Sequence, residues 1–350
     1  MNREIKGCSV AVVGGAGFLG SHLVDYLIED RGCKVLVVDN LVAGRREFVH
    51  KDAEFLHHDI TAGEDHLRKV LSARGTRFLF NYAAYPYVPD SFVRPVHVCN
   101  VNYLAACKVI NAAQEAGCLG ILQVSSAEIY GHVMGDRPYN PPSGNIGAAG
   151  SIDEEDEVSP HSTYGVSKAA VDEFCRVAWK ERQTPVIALR QFNCLGERDV
   201  LHPYVIPEIY RQLAKQIAIG KDGNQYAFES PVVYLGNNSF RDFLYAGDQA
   251  RMAVELLEKG QFGDVYNLGS ETGIKIYDLA KLIGKLMGFA DVRVEEDAAR
   301  KRPWEIWHLL SDNAKIYRTI EARPEVGFEE ALKRTIRWFE ENGRQWPWEK

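Results

Sequence analysis

A short apolar run followed by a glycine-rich turn constrains the fold of this chain more than any other segment. The run is Cys8–Val13, and the turn is Gly14–Gly20, with the sequence GGAGFLG. A run rich in β-branched residues predicts a strand buried on both faces, and the spacing of Leu19, Leu23 and Leu27 predicts a helix after the turn. Strand, glycine turn and helix together form a parallel α/β unit that can hold a pyrophosphate against backbone N–H groups.

The glycines of this turn have separate roles in that interpretation. Gly17 lets the backbone approach phosphate groups, and Gly20 lets the helix pack closely on the strand. The spacing is G-x-x-G-x-x-G rather than G-x-G-x-x-G. A tight turn that binds nothing is therefore the alternative.

Further β-rich runs alternate with helical patterns up to residue 190. They are Lys34–Val38, Glu54–Ile60, Phe78–Ala84, Gly120–Val124 and Pro185–Leu189. Such alternation predicts an α/β fold with a doubly wound parallel sheet of the Rossmann type. We predict an NAD-binding domain over residues 1–190, which also takes in parts of 239–270. A smaller α/β substrate domain over 191–350 is expected to be interleaved with it.

Asp39 lies at the end of the second run, nineteen residues after Gly20. A carboxylate at this place can accept hydrogen bonds from a ribose 2′-hydroxyl group. It also repels a 2′-phosphate, so NAD is predicted in preference to NADP. Arg45 and Arg46 follow closely and keep NADP open as an alternative.

Other strand ends supply further candidate ligands, because the carboxyl ends of parallel strands meet at one edge of a sheet. Asp59 is placed to meet an adenine amino group, and the small residues Ala83 and Ala84 leave room for a ligand. His57 and His58 are neighbours on a strand and point to opposite faces, so no metal site is predicted there.

Tyr164 and Lys168 are four residues apart in a helical pattern and share one face of the helix. A nearby ammonium group favours the phenolate, so the pKa of Tyr164 is expected to fall from its usual value of about 10. A tyrosine tuned in this way acts as a base near neutral pH. The spacing alone is weak evidence, because a half-buried ring beside a solvated amine has the same pattern.

Composition excludes several classes of protein. The net charge of −7 provides no basic field for nucleic acid. No apolar run approaches the length of a membrane span, and the start of the chain lacks a signal-peptide core. Seven cysteines without C-x-x-C spacing indicate reduced thiols and a cytoplasmic location.

Taken together, these motifs resemble the extended short-chain dehydrogenase/reductase family, and within it the nucleotide-sugar epimerases and dehydratases. The resemblance covers nearly the whole chain and depends on the joint order of its motifs rather than on any one of them. The motifs are Gly14/Gly17/Gly20, Asp39, Asp59-Ile60, Ala83-Ala84, Asn102, Ser125–Gly131, Tyr164/Lys168, Phe192-Asn193, Arg241-Asp242-Phe243 and Arg302-Pro303. The resemblance implies an enzyme with bound NAD that acts on a nucleotide-diphosphate sugar.

The resemblance also implies roles for single residues. Ser126 is expected to hydrogen-bond the sugar O4, Tyr164 to take its proton, and Lys168 to hold the nicotinamide ribose. The implied cofactor ligands are Gly14, Gly17, Phe18, Leu19, Asp39, Asn40, Asp59, Ile60, Ala83, Ala84, Asn102, Tyr164 and Lys168. The implied substrate ligands are Tyr85, Tyr87, Asn193, Val205, Arg241 and Arg302. The two arginines suit a pyrophosphate, with surface ion pairs as the alternative.

Glu128 helps to choose between reactions. In family members that dehydrate, a glutamate at this place is the base for the C5 proton. Decarboxylases of UDP-glucuronate have a similar segment here. The dTDP-glucose 4,6-dehydratase pattern has an aspartate as general acid where this chain has Ala127. Water, Tyr85, Tyr87 or Cys194 must then supply the acid. A glutamate near a helix start can also have only a structural role.

We therefore predict a nucleotide-sugar 4,6-dehydratase, with a 4-epimerase or a UDP-glucuronate decarboxylase as alternatives. A non-catalytic protein that senses NAD or nucleotides is the alternative from another class, but such a protein is expected to lose Tyr164 or Lys168. The predicted helices that begin near Val98 and Tyr164 resemble a pair that joins two subunits in this family, which implies a homodimer. The same apolar stripes also fit an internal core.

Overall fold

The computed structural model describes residues 3–131, 150–200, 204–219, 225–227 and 231–342. Its strands are β1 (Ser9–Val13), β2 (Lys34–Asp39), β3 (Glu54–His57), β4 (Phe78–Asn81), β5 (Gly120–Val124), β6 (Val186–Gln191), β7 (Asn193–Leu195), β8 (Ile217–Ile219), β9 (Gln225–Ala227), β10 (Val232–Leu235), β11 (Phe240–Tyr245), β12 (Val265–Leu268), β13 (Gly273–Lys275), β14 (Arg293–Glu296) and β15 (His308–Leu309). Its α-helices are α1 (Phe18–Glu29), α2 (Asp65–Ala73), α3 (Pro95–Cys99), α4 (Ala106–Glu115), α5 (Thr163–Arg182), α6 (Val205–Ala214), α7 (Ala246–Lys259), α8 (Ile276–Leu286), α9 (Ala314–Thr319) and α10 (Phe328–Asn342).

A seven-stranded sheet forms the larger part of the molecule. Its order is β12-β6-β5-β4-β1-β2-β3, and every pair in it is parallel. The prediction of a doubly wound parallel sheet is confirmed. The strand order reverses between β1 and β4, and ligands of such sheets bind in the crevice outside the carboxyl ends at this switch point. The division into two domains stays a prediction.

Alternation along the strands explains why both faces of the sheet are covered. In β1, Val10 and Val12 pack with α1 and α7, whereas Ala11 and Val13 pack with α2, α4 and α5 on the other face. All four side chains are at most 1% exposed. Strand β1 is thus held between two apolar layers, and its carboxyl end is left to carry the site.

The smaller part is built on β11, which pairs with β7 and β15 in parallel and with β13 antiparallel. The runs Val232–Leu235 and Ser239–Leu244, on either side of Gly236-Asn237-Asn238, predict a hairpin-like pair, and this prediction is wrong. The first of them, β10, pairs in parallel with β14 instead. After β10, Gly236 packs closely on the loop that carries Arg300, where a Cβ atom would collide with the Arg300 carbonyl oxygen.

The helical stretch expected to begin near Val98 begins at Pro95, a favoured first residue of a helix. It continues as a π-helical segment, Asn100–Ala105, and then as α4. Such π segments occur often at functional sites, because they redirect one side chain of the helix. Here the segment carries Asn102, which reaches Tyr85 in the loop after β4.

Candidate active site

A cavity of about 1130 Å³ lies along the carboxyl ends of the main-sheet strands, and loops of the smaller part form its other wall. All of the sequence-predicted site residues line this cavity except Asn102. Asn102 is 1% exposed. Its amide oxygen accepts from the backbone N–H of Tyr85 at 2.6 Å, and its amide nitrogen donates to the Tyr85 carbonyl at 3.1 Å. Asn102 therefore positions Tyr85 from behind the cavity wall.

The glycine turn forms one end of the cavity. Gly14 has a φ of +79°, which favours glycine, and a Cβ atom there would lie 2.6 Å from the backbone nitrogen of Ala83. A Cβ atom at Gly20 would overlap the carbonyl oxygen of Gly14. Gly17 is the N-cap residue of α1 and supplies no side-chain cap, so this helix N-terminus is open toward the cavity, where Phe18 and Leu19 line it. These features fit a pyrophosphate.

Two carboxylates stand where the adenosine half of a dinucleotide is expected. Asp39 accepts from the backbone N–H groups of Ala16 at 3.1 Å and Leu41 at 2.8 Å, and burial raises its pKa. Each of its oxygens keeps a second lone pair for a ribose hydroxyl. Asp59 accepts from Thr61 and from the Asn40 side chain, and the hydrogen bonds from Thr61 lower its pKa.

Arg45 and Arg46, which leave NADP as an alternative in the sequence, contact other residues instead of the cavity. Arg45 forms an ion pair with Glu47 at 3.3 Å, and the guanidinium of Arg46 lies 4.5 Å from the centre of the Phe55 ring. Neither arginine is part of the cavity lining. The geometry therefore favours NAD, which carries no 2′-phosphate.

Tyr164 and Lys168 lie in the first two turns of α5, whose N-terminus is capped by the Ser162 hydroxyl. The phenol hydrogen-bonds with Ser126. Lys168 Nζ donates to the carbonyl oxygen of Val124 at 3.0 Å and lies 5.9 Å from the centre of the Tyr164 ring. The pair predicted from spacing and the serine from the preceding strand end thus meet at one point.

The expectation that the pKa of Tyr164 falls is wrong for the chain's own groups. Burial raises the pKa of Tyr164, the hydrogen bond with Ser126 lowers it in part, and the charge of Glu128 raises it further. The ring is packed with Val88 and Val98, so desolvation outweighs the neighbouring ammonium. Burial also lowers the pKa of Lys168 to about 8.

Opposite this triad, carboxylates and guanidinium groups alternate along the cavity wall. Arg302 lies 3.8 Å from Glu128 and 3.8 Å from Glu305, and Arg241 pairs with Glu305 at 2.7 Å. The Arg241 side chain is only 8% exposed, so its ion pair is not a surface pair. Two guanidinium groups on one wall can hold a diphosphate in bidentate fashion.

Ala127 is buried against Ile129 and Tyr130, and it has no group that could donate a proton. The side chains considered as replacements hold their protons tightly. Tyr85 donates its hydroxyl to Asp90 at 2.5 Å, and this bond raises its pKa. Burial raises the pKa of Tyr87, and that of Cys194 well above its usual value.

Sequence reasoning missed several polar cavity residues, among them Asp199, Tyr204 and Glu305. Glu305 could have been found, because it follows Arg302 by three residues in the same loop. Asp199 ends the charged run Glu197–Asp199, which is typical of a surface loop, so the sequence offers no signal for it.

The described part of the chain also bears on membrane spans, metal sites and the state of the cysteines. No helix in it is long and apolar enough to cross a membrane. No cluster of three or more His, Cys, Asp or Glu residues within these ranges is arranged to hold a metal ion. All seven cysteines are free thiols, and the cytoplasmic location stays a prediction.

Comparison with known proteins places these features in one family. Residues 10–269 match the model of the NAD dependent epimerase/dehydratase family. The chain is 28% identical over 358 residues to the dTDP-D-glucose 4,6-dehydratase of Mus musculus, covering 96% of this chain and 90% of that protein. It is 26% identical over 330 residues to the UDP-glucose 4-epimerase of Streptococcus mutans, covering 91% and 92%.

A solved structure shows the same likeness in three dimensions. The UDP-N-acetylglucosamine 4-epimerase from Methanobrevibacter ruminantium, in complex with UDP-N-acetylmuramic acid, matches with a TM-score of 0.79 and 28% identity. The match covers 96% of this chain and 99% of that one. Dehydratases and epimerases are both represented among the similar proteins.

Proposed function

The chain belongs to the NAD dependent epimerase/dehydratase family, and from this premise we propose that it is a nucleotide-sugar 4,6-dehydratase. The chain is an enzyme of this family, and its cofactor is NAD. The observation that carries the proposal is the position of Glu128. Glu128 lines the cavity together with Ser126 and Tyr164, and among the described residues it forms an ion pair only with Arg302, 3.8 Å away.

The first step is oxidation of the sugar at C4. NAD⁺, when bound, would accept the hydride from C4, and its positive charge would favour the phenolate of Tyr164. Ser126 hydrogen-bonds O4 and orients it toward the phenol, and Tyr164 takes the O4 proton. Lys168, fixed by the Val124 carbonyl, places a positive charge behind the phenol and stabilises it when deprotonated.

The second step uses the carbonyl formed at C4, which makes the C5 proton acidic. Glu128 takes this proton as a general base, and the C6 hydroxyl leaves as water. Glu128 then returns a proton to C5, and the cofactor, when bound, would supply the hydride for C6. A 4-keto-6-deoxy sugar on its nucleotide is the product.

The substrate's diphosphate is assigned to the other wall of the cavity. Arg241 and Arg302 carry the charge that a diphosphate needs, and Asn193 is an additional donor on the same wall. Glu305 holds Arg241 at 2.7 Å and leaves Arg302 the freer of the two. Tyr85 and Tyr87 line the cavity near Ser126 and provide surfaces for the sugar.

The alternative of 4-epimerisation has one specific observation in its favour, which is the absence of an acid at Ala127. A mass-spectrometric screen of UDP-, dTDP-, GDP- and CDP-sugars in deuterated water separates the possibilities. Loss of water with one solvent deuteron at C5 is the expected result. Inversion at C4 without a change of mass would replace the proposal by epimerisation, and loss of carbon dioxide from a uronic acid would replace it by decarboxylation.

We also propose a homodimer that forms through α5 and the helical stretch from Pro95 to Glu115. Val96, Leu104 and Val166 of these elements are 81%, 51% and 49% exposed, an apolar surface that pairing of two copies would cover. Sedimentation velocity of the protein is expected to give a dimer, and Val96→Glu combined with Val166→Glu is expected to give a monomer. A monomeric wild-type protein would overturn this proposal.

A further inference from the structure

Asp199 is a buried carboxyl group in the cavity wall to which the reaction steps above give no role. Its side chain is 4% exposed. Its Oδ1 atom has no hydrogen-bond partner within the described ranges, whereas both oxygens of the buried Asp242 accept from Ser270 or Ser311. Most buried polar groups are hydrogen-bonded, so an orphaned carboxyl oxygen facing a cavity points to a ligand.

Contacts on either side of Asp199 fix the backbone of its loop. Arg198 has a φ of +70°, in the left-handed region that residues with side chains rarely adopt. Arg198 forms an ion pair with Asp25 at 2.6 Å, and its carbonyl accepts from the Val200 N–H at 3.0 Å. Val200 is buried in the apolar core of the smaller part. Backbone strain of this kind is maintained only where the surroundings enforce it.

Asp199 lines the same cavity as Ser126, Glu128 and Tyr164. The titratable groups that it acts on electrostatically are Tyr204, the N-cap residue of α6, and Cys194 of β7. Tyr204 interacts in turn with Tyr164 and Arg302. Tyr204 is therefore within electrostatic reach of both Asp199 and the catalytic phenol.

We propose that Asp199 is the general acid that the segment Ser126–Glu128 lacks, and that its carboxyl proton goes to the C6 hydroxyl as that group leaves. This inference rests on the proposed 4,6-dehydration. The step balances, because Glu128 takes the C5 proton and the C5–H electrons form the C5=C6 bond. The C6–O bond breaks, and its oxygen takes the proton of Asp199. Water departs, and Asp199 remains as a carboxylate.

The protonation state of Asp199 agrees with this role. Burial raises its pKa to about 7, and no other cause offsets the burial. An acid with a pKa near the working pH is both protonated often enough and acidic enough to donate. Tyr85, Tyr87 and Cys194 lack this property, because the pKa of each is raised away from neutrality.

The test compares Asp199→Asn with Glu197→Gln, using the sugar that the screen identifies. Glu197 belongs to the same loop but not to the cavity lining, so its variant controls for the loss of a nearby carboxylate. Deuterium entry at C5 of unreacted substrate and the loss of water are measured separately. Asp199→Asn is expected to lose water about 10²-fold more slowly, while C5 exchange continues. Glu197→Gln is expected to behave as the wild type.

The pH dependence supplies a second readout that a structural role would not change. Wild-type water loss is expected to fall as the pH rises through about 7, because Asp199 then loses its proton. The Asn variant is expected to lack this decline. If Asp199→Asn eliminates water at the wild-type rate, the inference fails but the proposed function does not. The same holds if Asp199→Asn loses C5 exchange as well as water elimination. A wild-type protein that removes water from no sugar overturns the proposed function and the inference together.

Discussion

Replacing Tyr164 with phenylalanine is expected to lower kcat by about 10³-fold, within the usual contribution of a positioned acid or base. The ring is buried with Val88 and Val98, and phenylalanine fills the same space without the hydroxyl. The O4 proton then has no acceptor, and Ser126 loses its hydrogen-bonding partner. The hydride cannot leave C4 while O4 keeps its proton, so formation of the reduced cofactor stops as well.

Two measurements accompany this variant. Affinity for NAD is expected to stay within about twofold of the wild type, a change of about 0.4 kcal/mol, because the glycine turn and Asp39 are untouched. Tyr234→Phe is the matched control, because Tyr234 lies outside the cavity lining and is 45% exposed. Turnover of Tyr164→Phe equal to that of Tyr234→Phe would remove Tyr164 from the mechanism.

The main sheet could be predicted from the sequence because its signals are local. Runs such as Ser9–Val13 and Phe78–Asn81 are buried on both faces, and a continuous apolar run between turn residues is what such a strand requires. The pairing of β10 could not be predicted in this way. Its partner Arg293–Glu296 lies far along the chain and is exposed, so neither composition nor spacing links the two.

The residues of the site could be predicted from the sequence, but the pKa shifts of their side chains could not. Spacing places Lys168 beside Tyr164, yet the pKa of the phenol depends on how deeply Val88 and Val98 bury it, and these residues come from distant segments. Asp199 shows the same difficulty. Only the tertiary structure turns Arg198 toward Asp25 and the neighbouring carboxyl group into the cavity.

Replacing Glu128 with glutamine is expected to lower the rate of water loss by about 10³-fold and to stop C5 exchange with solvent. Glutamine keeps the size of the side chain but cannot accept the C5 proton. The oxidation at C4 is expected to continue, because Ser126 and Tyr164 are unchanged. The reduced cofactor should therefore accumulate in a single turnover, which its absorbance reports. This pattern differs from that of Tyr164→Phe, in which no reduced cofactor forms.

The same variant decides between the reactions open to the family. A 4-epimerase needs no base at C5, so its Glu128→Gln variant would invert C4 at close to the wild-type rate. A glutamate that only caps a helix start would leave every rate unchanged and would lower thermal stability instead. Glu157→Gln, a change at an exposed carboxylate of the loop before α5, controls for charge. Loss of C5 exchange with retained C4 oxidation is the one outcome that assigns Glu128 to C5. It separates the reaction at C5 from the reaction at C4 within a single variant.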